Sequence, residues 1–233
     1  MKRPHVTKFL CVLAVVIAIS LLVVFQGMRI MKASQSPCAL YASIMDDNTS
    51  NAERLITQGL ADQPCRGICP IHAAAMKANK RLLQVILNEG VDVNRPDDRG
   101  NTAFMLVCAS GLFRTREVEC FELLLAAGAD INTKSTDYEN SVLNQIASYS
   151  FANARLINEL IKHGATIETK NKRGQTPLHT AVEAENINVV EVLLKHGANT
   201  SVFDNNNETP LDIAKRMNFP EIQKLLNEQS DIK

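Results

Sequence analysis

Two sulfurs and an imidazole fall within eight residues in Cys65-Arg66-Gly67-Ile68-Cys69-Pro70-Ile71-His72. Such a density of soft ligands can recruit zinc or haem, or act as a redox centre. No fourth ligand follows nearby, and Cys69 and His72 also fit a structural role described below. The chain contains no G-x-x-x-x-G-K-[ST], H-E-x-x-H or G-x-S-x-G segment and no kinase signature set. His163 and His196 stand beside Gly164 and Gly197, where an imidazolium meets the favourable dipole of a helix end, and neither has an acid or a nucleophile in reach. The expectation is no catalytic residue, no metal ligand set and no cofactor.

What must position these groups is a chain of 233 residues in which 45% are apolar and 21% charged, enough for one packed domain and an appendage. Lys and Arg balance Asp and Glu at 25 each. Lys2, Arg3, Lys8, Arg29 and Lys32 all precede the first acid, which leaves 20 positive and 25 negative charges over residues 36–233. That acidic remainder has no basic patch to meet a phosphate backbone, so nucleic acid is excluded as the main partner.

Residues 9–25 are a run of 17 with Ser20 as its one polar member and no charge. At 1.5 Å per residue, with residues 26–28 extending it, the run is long enough to span a bilayer, and it lacks the polar stripe of a soluble helix. No A-x-A cleavage pattern follows it, so residues 9–28 are expected to stay attached as a transmembrane signal-anchor after a cytoplasmic segment, 1–8. The cations before the span outnumber those after it by a narrow margin, which puts the large domain on the extracytoplasmic, periplasmic side.

Beyond the anchor the chain repeats itself. Thr176-Pro177-Leu178-His179 recurs 33 residues on as Thr209-Pro210-Leu211-Asp212, and Thr102-Ala103-Phe104-Met105 lies 33 after Cys69-Pro70-Ile71-His72. Ser141-Val142-Leu143-Asn144 fills the same slot at spacings of 39 and 35, so two units carry insertions. A Thr before Pro sets a capping hydroxyl ahead of a residue whose fixed φ suits the first helical turn. Each unit closes on an apolar run and a Gly, as in Gly90-Val91-Asp92-Val93-Asn94 and Gly128-Ala129-Asp130-Ile131-Asn132. These uses absorb eight of the ten glycines and leave almost none for a phosphate-cradling loop.

With these residues the chain resembles the ankyrin-repeat family over about residues 37–228. The resemblance implies an all-α fold, an ankyrin-repeat solenoid of helix-turn-helix units with hairpin loops, here preceded by one N-terminal transmembrane helix. Six units are expected in a domain spanning 36–230: 36–66, 67–99, 100–138, 139–173, 174–206 and 207–230. The first and last look like the polar caps that a one-dimensional stack needs. In the family the Thr and His slots bond neighbouring turns, which assigns Cys69 and His72 that role.

If the domain is exported, disulfides outrank metal. Antiparallel helices can bring Cys108 and Cys120 of the third unit within bonding reach, and that pair is the first expected bond. Cys38, Cys65 and Cys69 share the first junction and can yield one more bond, their pairing open. The third unit is expected to add five residues between its helices, around Gly111 to Arg116, and the fourth two, around Ser148 to Phe151. Phe113, Tyr149 and Phe151 with Arg114 and Arg116 would then form one aromatic, basic surface of interface-like composition; packing of the longer loops is the alternative. The hairpin tips offer Arg99, Tyr138, Arg173 and Phe203 as further contacts. Asn48, Asn199 and Asn207 head glycosylation sequons that matter only in a eukaryotic lumen.

The function expected from residues and resemblance together is a non-enzymatic interaction module. It is a membrane-anchored solenoid that binds a protein outside the cytoplasm, with toxin immunity or protection of a partner enzyme implied by the family layout. No small-molecule substrate is expected. Two alternatives stand beside it: a redox or metal and haem sensor built on Cys65, Cys69 and His72, and a cytosol-facing scaffold that recruits a soluble partner to the membrane.

Overall fold

A computed structural model describes residues 36–109, 114–150 and 153–230. The segment 9–28 expected to cross a membrane lies outside the described residues; among those described, no helix is long and apolar enough to do so.

Among the described residues, twelve α-helices follow one another in six pairs: α1 (Pro37–Met45) and α2 (Thr49–Leu55), α3 (Pro70–Met76) and α4 (Lys80–Asn88), α5 (Ala103–Cys108) and α6 (Thr115–Ala126), α7 (Val142–Ala147) and α8 (Ala154–Lys162), α9 (Pro177–Glu183) and α10 (Ile187–Lys195), α11 (Pro210–Arg216) and α12 (Pro220–Ser230). No strand forms among the described residues; two isolated bridges, Cys65 with Ile68 and Lys134 with Ser141, close hairpin loops. First helices pack on first helices and second helices on second helices, so the chain is a two-layered all-helical solenoid.

Local chemistry starts each first helix. Pro stands in the opening turn of α1, α3, α9 and α11, where a missing N–H costs nothing. Ser36, Thr102, Ser141 and Thr209 accept from the backbone N–H three residues on. Second helices use a different residue. Asn48, Asn79, Asn153 and Asn186 cap α2, α4, α8 and α10 through their side-chain oxygens. The α6 start departs from this pattern, with Arg114 in the capping slot and no side-chain bond.

The third unit's insertion is also distributed differently from the sequence expectation. Helix α6 has 12 residues where α4, α8 and α10 have 9 each, so part of the added length is an extra turn of helix. One more residue enters the hairpin before Ser141: Ser135 N–H bonds the Asn140 carbonyl, five residues on, where Asp97 and Asn171 bond Asn101 and Gln175, four residues on. A regular apolar stripe absorbs an added helical turn without exposing polar backbone.

The core runs the length of the stack, from Leu40 and Ile44 through Ile71, Leu82, Phe104, Leu143, Leu160, Leu178 and Val190 to Ile213 and Ile222, all buried. Phe104 and Phe121 pack at 5.1 Å between α5 and α6, and Phe121 meets the His163 ring edge-on at 5.5 Å. Each such side chain contributes roughly 1.5–3 kcal/mol by leaving water.

Candidate functional site

The chemistry-dense segment is built into the fold. Cys65 is bonded to Cys38 across a Cα separation of 4.9 Å, which ties α1 to the loop beyond α2. Cys65 and Ile68 exchange backbone bonds of 3.0 and 3.1 Å around a tight turn with Arg66 and Gly67 at positive φ. Cys69 takes the capping position of α3 and is buried. Burial pushes its thiol pKa up, with the Arg95 charge opposing. His72 accepts from the Cys69 N–H through Nδ1 at 3.2 Å and donates from Nε2 to the Arg95 carbonyl at 2.9 Å. With one sulfur in a disulfide and both ring nitrogens engaged, Cys65, Cys69 and His72 do not converge as ligands, and no group of three His, Cys, Asp or Glu able to hold a metal occurs among the described residues.

Cys108 and Cys120 correct the first expected disulfide, since both are buried thiols. Cys108 ends α5 and Cys120 lies in the second turn of α6. Burial raises the Cys108 pKa far above the usual thiol range and that of Cys120 to about 11.

The slot of His72 recurs in every later unit. His179 accepts from Thr176 through Nδ1 and donates through Nε2 to the Glu208 carbonyl at 3.3 Å. Asn144 reaches the Gln175 carbonyl at 3.0 Å. Met105 has no such donor, and Asp212 in the last unit turns back on Thr209. Burial lowers the pKa of both histidines, so each bridge uses a neutral imidazole.

A second ladder holds the hairpins in register. Thr136, Lys172 and Asn205 each donate a backbone N–H to the carbonyl of Arg99, Tyr138 and Arg173, at 3.0, 2.9 and 3.0 Å. These three expected contact residues therefore occupy equivalent positions in consecutive hairpins. Arg99 is exposed, Tyr138 is 64% exposed, and Arg173 holds Glu183 through two bonds of 3.1 and 2.8 Å. Phe203, 56% exposed, lies in the following hairpin, where its carbonyl accepts from Lys170 Nζ. Two asparagines missed by sequence reasoning brace the other limb. Asn94 donates to the Gly128 carbonyl and accepts from Asp130, and Asn132 does the same with Gly164 and Thr166. Their signal was the Asn that ends each Gly-x-Asp-x-Asn exit.

The expected insertion surface falls partly outside the described residues. Phe113 and Phe151 lie outside the described residues. Arg114 lines a groove with Val118 and Arg155, Arg116 a separate one with Lys80 and Asn79, and Tyr149 packs against the core. Arg114 is the extended residue before α6 and Arg116 lies in its first turn, and the two line neighbouring grooves that share Glu119.

A family model for ankyrin repeats, three copies to the model, matches residues 39–135 and again 143–233. The chain belongs to the ankyrin repeat family. This ankyrin-repeat chain is 36% identical over 120 residues to the transient receptor potential channel pyrexia of Drosophila melanogaster, which is 51% of the chain and 12% of the channel. It is 31% identical over 105 residues to ankyrin repeat protein OPG189 of Variola virus, covering 43% of the chain and 17% of the viral protein. With the mitochondrial disaggregase of Bos taurus it shares 30% identity over 172 residues, 65% of the chain and 23% of that protein. The chain thus spans under a quarter of each of these relatives. Ankyrin repeats make the module one for protein–protein interaction.

Proposed function

We propose that this ankyrin solenoid is a non-catalytic, single-pass membrane-anchored binder whose partner is a protein outside the cytoplasm. The observation that carries the reading is the hairpin row. Arg99, Tyr138 and Arg173 stand in register on a backbone ladder, with Phe203 exposed in the next hairpin, while Cys65, Cys69 and His72 are engaged in a disulfide, a helix cap and a bridge to the next hairpin. Arginines and tyrosines held on a rigid scaffold are the composition of interface hot spots. The Cys38–Cys65 bond fits an oxidising compartment, and the apolar run at 9–28 supplies the anchor. Within that setting the role is to neutralise or protect a partner enzyme, a reading that rests on family layout alone.

A photo-crosslinking amino acid at Tyr138 in the full chain, expressed in its own host, tests this. A single protein is expected to crosslink from Tyr138 and not from the exposed Glu122 on α6. Identical, diffuse labelling from both positions sinks the reading. Reporter fusions at Lys233 decide the compartment: activity of a fluorescent protein and silence of alkaline phosphatase would put the repeats in the cytoplasm and favour recruitment of a soluble partner to the membrane.

A further inference from the structure

Among the described residues, cations open three of the helices, and these are the second helices of consecutive units: Lys80 and Arg81 in α4, Arg114 and Arg116 at the start of α6, and Arg155 in α8. The positive end of the helix dipole opposes a cation in that turn, so the stability of these helices does not explain the pattern. Each second helix starts at the short turn after its partner, which puts the cations at the end of the stack opposite the hairpins.

Two adjoining grooves collect them. One, of about 620 Å³, is lined by Arg114, Val118 and Arg155, and the other, of about 510 Å³, by Lys77, Lys80 and Arg116, with Glu119 in both walls. The other acids nearby are already held: Asp47 by Lys77 at 2.9 Å, Glu53 by Arg81, and Glu159 by Lys162 at 2.9 Å. Glu117, the one acid in these opening turns, lines neither groove. Among the described residues no hydrogen bond or ion pair engages Arg114, Arg116 or Arg155, all exposed, and Lys80 pairs loosely with Glu119 at 3.8 Å. Four reachable cations thus face one acid, in a domain where acids outnumber bases.

We infer that the two grooves dock an acidic segment of the partner protein, one carboxylate between Arg114 and Arg155 and another between Lys80 and Arg116. Arginine forks match carboxylates in plane, and the dipole that opposes the bare cations favours an incoming anion. Glu119 between the grooves interrupts the positive field, which suits separate side-chain carboxylates better than the unbroken charge of a phosphate chain. The inference rests on the interaction reading above in taking the ligand to be a protein. Glu122, further along α6, lines neither groove, so the crosslinking comparison at that position is unaffected.

Fluorescence anisotropy of labelled hexaglutamate with the full chain in a nonionic detergent tests this, beside hexaglutamine and hexathymidylate. Saturable binding is expected for hexaglutamate and none for hexaglutamine. Arg114→Glu/Arg155→Glu and Lys80→Glu/Arg116→Glu should each weaken hexaglutamate about tenfold, whereas Glu119→Gln should tighten it about threefold. Lys195→Glu is the control: Lys195 is an exposed cation outside both grooves, as loosely paired, with Glu191 at 3.8 Å, and its reversal should leave binding unchanged. Thermal melting shows whether the reversal pairs fold; where one does not, the corresponding alanine pair and the gain at Glu119→Gln decide. No saturation with hexaglutamate, native affinity in both pairs, or equal weakening by Lys195→Glu overturns the inference. Tighter binding of hexathymidylate overturns it too, by assigning the grooves to a phosphate chain. Crosslinking of one partner at Tyr138 without hexaglutamate binding would discard the acidic dock and leave the interaction reading standing. Hexaglutamate binding without a crosslinked partner would do the reverse.

Discussion

At His72 and His179 a neutral imidazole does two things: Nδ1 accepts from its own helix start, and Nε2–H donates to the next hairpin. The first fails on protonation, because an imidazolium has no acceptor nitrogen, and although the Nε2–H bond survives, a charge in that dry site is penalised. Burial places both folded pKa values below the ordinary 6.5, so the fold favours the neutral form. Their contribution is complete above the unfolded value and is lost as pH falls from about 6.5 towards the lower folded values. The melting temperature should hold between pH 8 and 7 and decline from pH 6.5 to 5. The Asn144 bridge supplies the control: His72→Asn/His179→Asn should flatten that decline at a cost of about 1–2 kcal/mol at neutral pH, read from urea melts at both pH values. A decline of unchanged steepness in the double variant would assign it to other groups.

At the scale of the element, turn conformation decides which substitutions the stack tolerates. Gly100 has φ +76°, and a Cβ there would lie 2.4 Å from the Thr136 backbone nitrogen that bonds the Arg99 carbonyl. Gly100→Ala should cost about 2 kcal/mol or more and expose the amides of residues 135–140 to exchange. Ala78, between α3 and α4, has φ +46° without the freedom of glycine. Ala78→Gly should reverse the usual loss and raise stability by up to about 1 kcal/mol in urea melts. Elements of this kind were readable in sequence where the cause is local. Thr-Pro starts and glycine ends fix their helices from within a few residues, so the period emerged. The Asn79, Asn153 and Asn186 caps are equally local but stand before Lys80, Ala154 and Ile187, without the proline that marks a first-helix start. The Asn94 and Asn132 braces join groups 32 to 36 residues apart, and a pattern search has no access to such pairings. The same holds for Cys38 with Cys65 over Cys108 with Cys120. Helix type was legible, but which cysteines lie level across a junction depends on how far each helix runs. Likewise Arg114, extended before α6, and Arg116, in its first turn, line different grooves, whereas Arg99, Tyr138 and Arg173 each hold the same place in their units.

Across the whole molecule the contacts run between neighbouring units, so stability is close to a sum of unit and interface terms. The first unit has an interface on one side only within the described stack, and its α1 contacts α2 and α3. The Cys38–Cys65 bond closes a loop of sequence separation 27 around that unit. Closing a loop of this length removes about 3 kcal/mol of chain entropy from the unfolded state. Because the units are coupled only to their neighbours, the loss on reduction should stay local. Hydrogen exchange with and without a reductant measures this. Amides of α1 and α2 should exchange faster by about two orders of magnitude after reduction, as ~3 kcal/mol requires, while those of α9 to α12 should keep their protection. The bridges from unit to unit predict how far the fraying spreads: the His72 bridge to the Arg95 carbonyl lies beyond the disulfide and remains intact, so α3 should be the first element to hold. Uniform loss of protection along all twelve helices would instead mean that the solenoid unfolds as one cooperative unit, and that the bond stabilises the whole stack rather than its first unit.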